Sequence, residues 1–125
     1  MAKTLTKDMV EALLALDDRP SERVATPEWG KVCDEVIVRG ISAAERDALE
    51  LDIFDLEKDK RERMKNLRAR LSAMSVVDEA GERLFTDAQM EALGRKSAKA
   101  LARVFNVAQR LSGLSASDIE ELTKK

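Results

Sequence analysis

Residues 67–114, LRARLSAMSVVDEAGERLFTDAQMEALGRKSAKALARVFNVAQRLSGL, decide how this chain folds. Met64, Leu67, Leu71 and Met74 stand at helical spacing and run into the β-branched pair Val76 and Val77. Asp78-Glu79-Ala80-Gly81 has turn chemistry, and the chain returns through Leu84 and Phe85. Thr86-Asp87-Ala88-Gln89 has the spacing of a capping box, in which threonine and glutamine satisfy each other's free amides. Gly94 interrupts the helix so opened. A longer helix follows, with Leu101, Val104, Phe105, Ala108 and Leu111 at helical spacing, until Leu111-Ser112-Gly113-Leu114 stops it with a glycine where a left-handed cap is wanted.

That long helix carries an unusual excess of apolar surface. At about 100° per residue, Lys99, Arg103, Asn106 and Arg110 fall on one narrow polar strip. Ala98, Leu101, Val104, Phe105, Val107, Ala108, Leu111 and Leu114 take more than half the circumference, where an ordinary surface helix needs a stripe of about 100°. Either the helix is central to the domain or one flank faces another protein. The second reading makes Val104, Val107, Leu111 and Leu114 candidate partner-binding residues.

Upstream, 23–42 is the one long β-like stretch. Val24 and Ala25 precede the turn Pro27-Glu28-Trp29-Gly30, and Val32, Val36, Ile37, Val38 and Ile41 form a β-branched run. A two-stranded ribbon is marginal alone, so it should lie against helices. Trp29 is the one tryptophan; its indole either covers the edge of the core or joins the partner-binding set. Ser42-Ala43-Ala44-Glu45 is a second capping box, opening a helix with Ala48, Leu49, Ile53 and Leu56. Residues 57–63 are charged at every position and slip the apolar phase before Met64, reading as a helix break or a solvated bridge. Before the ribbon, Thr6 can cap a helix holding Met9, Val10, Leu13, Leu14 and Leu16, which Asp17, Asp18 and Pro20 end. Ser117-Asp118-Ile119-Glu120 offers a last box for a short helix ending at Leu122. The expected organisation is an N-terminal helix and a linker free to move over 1–21, one helical domain over 22–122 with its β-ribbon at about 23–41, and a frayed tail at 123–125. The fold class is mainly α: a compact bundle of about five helices plus a two-stranded β-hairpin near the N-terminal third.

Composition narrows the chemistry. The 125 residues are the size of one domain, and apolar content of 44% with three Phe, one Trp and no Tyr makes an aliphatic, alanine-rich core of packed helices. Charged residues are 37% and net charge is −2, so nothing steers the whole molecule to nucleic acid or anionic lipid. The single Cys33 cannot form an internal disulfide and fits a reducing cytoplasm. Asp8 and Glu11 break the first apolar run, so it does not read as a signal peptide, and no run approaches the ~20 residues that span a bilayer. With no histidine, the commonest general base and transition-metal ligand is missing. The acidic turn at Asp78–Glu82 is too short for a calcium loop before Leu84 and Phe85 follow. Asp47, Glu50, Asp52 and Asp55 sit on a segment expected to face water, with no pocket to perturb them. No enzyme, catalytic residue, metal or cofactor is expected. Residues 86–112, with Arg95, Lys96, Lys99, Arg103 and Arg110, leave one alternative, a small helical DNA-binding regulator of helix-turn-helix type.

The ordered series ERD, NLRARL, VDEAG, RLFTD, MEALG, KSAKALARVF and AQRLSGLS, together with PEWG at 27–30 and ISAAERD at 41–47, resembles the tail assembly chaperone family of long-tailed, siphovirus-type bacteriophages and prophages. Phe85–Ser115 matches best, and the N-terminal helix and the run 57–63 match least. The resemblance implies a chaperone of tail morphogenesis working by protein-protein interaction in the cytoplasm of the bacterial host. It would bind the tape measure protein, help recruit tail tube (major tail) subunits, and leave before the virion is finished. It implies neither nucleic acid nor membrane as partner and allows a homo-oligomer. Members are also made as a longer, frameshift-extended form that engages the tail tube protein; Lys124-Lys125 is where codons for a slippery adenine run would lie.

Overall fold

The computed structural model describes residues 2–53, 67–115 and 117–118. Its elements run α1 (Val10–Ala15), β1 (Ser21–Ala25), β2 (Glu35–Arg39), α2 (Ala43–Ile53), α3 (Leu67–Ser75), β3 (Val76–Val77), α4 (Met90–Leu93) and α5 (Ala98–Leu111). Single 3-10 turns precede α1 and α4, and another, Pro27–Trp29, lies between β1 and β2. The chain is mainly α with a small sheet.

That sheet is antiparallel and has three strands in the order β1-β2-β3, not two. Beyond the β1–β2 ribbon (Val24 opposite Val36, Ser21 opposite Arg39), Val76 pairs with Val38 and Val77 with Ile37. Two residues are too few to show alternation, so Val76-Val77 carried no strand signal of its own. The architecture also departs from a bundle. Alternation along the strands puts Val24, Val38 and Val76 on one face, where all three are buried, and α3 and α5 pack against that face and each other. Val24, Val38, Leu49, Ile53, Leu71, Val76, Val104, Phe105, Ala108 and Leu114 form the main buried cluster, so sheet and helices close one core between two layers.

α3 is the most enclosed helix. Ala69, Leu71 and Ala73 are buried with Ser72 and Ser75, and these small side chains let it sit close to α5, where Ala100 and Ala108 are fully buried. Arg70 is buried too and meets Asp52 of α2 at 3.1 Å. Asp52 is therefore a half-buried partner, not part of a solvated face. Glu50 pairs with Arg46 at 3.1 Å within α2.

Local signals set the ends of these elements. Ser42 caps α2: its Oγ accepts from Glu45 N at 3.1 Å, while Ser42 N donates to the Glu45 carboxylate at 2.8 Å. Thr86 N donates to Gln89 Oε1 at 3.0 Å ahead of α4, and Ser97 Oγ accepts from Ala100 N at 3.3 Å at the start of α5. Asp78 Oδ1 accepts from Ala80 N and Glu82 N, holding the turn after β3 with Gly81 at φ +84°. α5 ends on Gly113 at φ +71°, and Leu114 N reaches back to Gln109 O at 3.0 Å, the Schellman arrangement that turns Leu114 onto the core. Ser112 Oγ then accepts from Ile41 N, and a Cβ on Gly40 would stand 2.4 Å from Leu111 O. Only glycine admits that approach of β2's end to α5. Among the described residues Ser115 and Asp118 also form a capping pair; their reciprocal bonds are 2.9 and 3.0 Å and hold the Asp118 carboxyl below its usual range. Asp55, Leu56, the charged run 57–63, Met64, Ile119 and Glu120 of the expected last capping box, Leu122 and Lys124-Lys125 lie outside the described residues.

Candidate protein-docking groove

The connection between β1 and β2 is short and heavily tied. Thr26 is fully buried, and its N donates to Asp34 O at 2.9 Å, carrying the ladder one step past Ala25. Pro27 opens the 3-10 turn, whose Trp29 O accepts from both Val32 N and Cys33 N at 2.8 and 2.9 Å. This winding turns the Trp29 indole inward, half-buried against the core, and sets Val32 outward with 91% of its surface exposed. Arg103 of α5 clamps the turn from outside: its guanidinium donates to Ala25 O at 2.9 Å and to both oxygens of Glu28 at 3.0 and 3.1 Å. That fork pulls the Glu28 carboxyl down to about 2 from an ordinary 4.5, the hydrogen bond from Arg103 being the main cause.

Beside the clamped turn lies an open apolar groove of about 890 Å³. Trp29, Val32 and Val36 line it from the ribbon, Leu84 and Phe85 from the segment after β3, and Leu93 from α4. Leu84 is 54% exposed, so with Val32 two large aliphatic side chains stand in water at one site. Isolated exposed leucines need no explanation, but apolar groups gathered in a concave patch mark an interaction surface. Lys31, Gln89 and Lys96 add polar side chains to it. Among the described residues no three His, Cys, Asp or Glu side chains gather as metal ligands, and no helix is long and apolar enough to cross a membrane.

The five residues expected to bind a partner separate here. Val104 and Leu114 are 1% and 3% exposed within the main core. Val107 and Leu111 are half-buried against the same core, and Trp29 alone lines the groove. The broad apolar arc of α5 is thus closed by α3 on one side and the sheet on the other, which makes the helix central to the domain. The polar strip of α5 is likewise engaged: Arg103 holds Glu28, and Arg110 pairs with Glu22 of β1. Lys99 and Asn106 of the same strip are exposed and Arg110 keeps 61% of its side-chain surface in solvent, so the strip is tied to the ribbon at two of its four positions and remains solvated. Val32, Leu84 and Leu93 are groove residues that periodicity did not single out. By sequence Val32 belongs to the β-branched run and Leu84 stands next to Phe85, but Val32 falls outside β2, in the turn after Trp29, and only folding brings the three to one surface.

Neither the family models nor the curated proteins compared with the chain give a match. A solved structure does. The structure of the bacteriophage HK97 tail assembly chaperone superposes with a TM-score of 0.58 at 16% sequence identity, over 85% of this chain and 95% of that one. At that identity the likeness is one of architecture, so what this chain demonstrably has in common with the HK97 tail assembly chaperone is its fold.

Proposed function

We propose that this protein is a phage tail assembly chaperone whose Trp29 groove shields apolar helical segments of the tape measure protein. The observation that carries this reading is an open apolar groove, rimmed by polar side chains, on a fold shared with a tail assembly chaperone. The ordered motifs from Glu45 to Ser115 support it independently of the fold. An amphipathic helix laid in such a groove buries its apolar face through a few anchors, and a contact of that kind is readily displaced. Displacement is what an assembly factor needs if tail tube subunits are to replace it around the tape measure before the virion is complete. In this reading the chaperone acts in the cytoplasm of the bacterial host, without cofactor or catalysis, and a frameshift-extended form recruits the tail tube protein.

Co-expression with the tape measure protein tests it. The wild-type chain is expected to keep that client soluble and to co-purify with it. The double variant Val32→Glu/Leu84→Glu should keep its circular dichroism spectrum yet lose about tenfold or more in affinity, as two charges replace apolar anchors. Equal retention by the variant, or no retention by wild type, would remove the groove from the mechanism.

A further inference from the structure

We propose that the free edge of β1 is a second docking surface, one that takes an extended, acidic segment of a partner protein as a fourth strand of the sheet. In the order β1-β2-β3 the far edge of β3 is already used: Val77 bridges Arg83, and Leu84 N donates to Val76 O at 3.2 Å. The far edge of β1 is open. Gly40 N donates to Pro20 O and Thr26 N to Asp34 O, both at 2.9 Å, so between them the ladder's bonds fall at Glu22 and Val24. The N–H and C=O groups of Ser21, Arg23 and Ala25 therefore point away from β2. Arg103 takes Ala25 O, and the others have no partner among the described residues. All three residues are exposed. A row of unpaired backbone groups on a strand edge is a template for another strand.

Charge selects the strand that fits. Side chains of an added strand alternate between the outer face of the sheet and the inner face, where α5 runs beside β1. The polar strip of α5 borders that inner side: Arg103 reaches Ala25 and Arg110 reaches Glu22, with Asn106 exposed between them and Lys99 exposed one turn before. Glu28 and Glu22 each answer one guanidinium, and Lys99 makes no ion pair among the described residues, so three cations stand against two acids. On the outer face the balance is reversed, since Arg23 meets both Glu35 and Glu79. The fitting segment thus carries acids at alternate positions, toward α5, and uncharged β-branched residues between them. Arg103 on Ala25 O and Gly40 on Pro20 O close the two ends, which confines pairing to Ser21–Ala25. None of these residues lines the Trp29 groove, and the proposal does not rest on the chaperone reading.

Amide exchange on the full chain, followed by NMR during titration with an end-capped peptide of alternating glutamate and valine, tests the proposal. Saturable binding should slow exchange at Ser21, Arg23 and Ala25 by about tenfold or more. Arg23→Pro removes one outward N–H and leaves the β1–β2 ladder alone, while Arg23→Ala removes the same side chain and keeps that N–H. The proline variant should lose about tenfold in affinity relative to the alanine variant. Changes to the peptide keep the test independent of how the proline variant folds. N-methylation of one alternate set of its amides should abolish binding and methylation of the other set should not, and lysine in place of glutamate should weaken it. Val32→Glu/Leu84→Glu, altered only in the groove, should bind like wild type. The proposal is overturned if the proline and alanine variants bind alike, if neither methylated peptide loses binding, or if the lysine peptide binds as well. Loss of binding by the groove variant would place the peptide in the groove and overturn it too. So would protection of the Ser21 and Arg23 amides that rises with concentration in the free chain, which would assign the edge to a second copy.

Discussion

Helix α5 and the groove beside Trp29 both gather large apolar side chains, and they end differently. On α5 the apolar residues come from one regular element, so α3 and the sheet close over them and leave Val104 and Leu114 inside. Around the groove they come from a 3-10 turn, a strand end, an irregular segment and a one-turn helix. No described element of the chain covers that surface, and Val32 and Leu84 stay in water. Apolar width along one helix therefore measured core, while the open surface was built from residues that share no period.

The contrast predicts unequal costs. Leu71→Ala removes a fully buried side chain from the centre of α3 and should lower unfolding free energy by about 2–5 kcal/mol in urea titrations. Gly40→Ala places a methyl 2.4 Å from Leu111 O, where only backbone can move, and should cost about 1–3 kcal/mol. A cost near zero would mean that β2 and α5 are not locked as described. A smaller effect is expected at Glu28. Its carboxyl sits at about 2 in the folded chain against an ordinary 4.5, so its pairing with Arg103 stabilises fully above about pH 4.5 and is lost as pH falls toward 2. The stability difference between wild type and Glu28→Gln should be flat from neutral pH down to that point and shrink below it. A difference growing with acidity would contradict the clamp. Smallest of all, Val32→Ser should change stability by no more than about 0.5 kcal/mol, since the side chain it replaces is 91% exposed.

Much of the fold was legible because its signals are local. The Ser42–Glu45 pair, the turn at Asp78–Gly81 and the Gly113 cap each act within a few residues, and each stands where spacing and residue type put it. What stayed hidden was pairing across distance. Val77 finds Ile37 far back in the chain, and Arg103 finds Glu28 across 75 residues. Ser72 and Ser75 are fully buried in α3, which their polar residue type does not announce. Of the candidate site only Trp29 was readable, because a lone tryptophan draws notice without any period. Val32, Leu84 and Leu93 acquire meaning only from one another.

The central claim, that apolar helices dock beside Trp29, is tested most directly by the fluorescence of that residue, the only tryptophan in the chain. A tryptophan-free amphipathic helix from the tape measure protein should shift Trp29 emission to the blue in a saturable titration, with no shift for Val32→Glu/Leu84→Glu. Tight binding that leaves Trp29 emission unchanged would place the client elsewhere on the molecule and contradict the account.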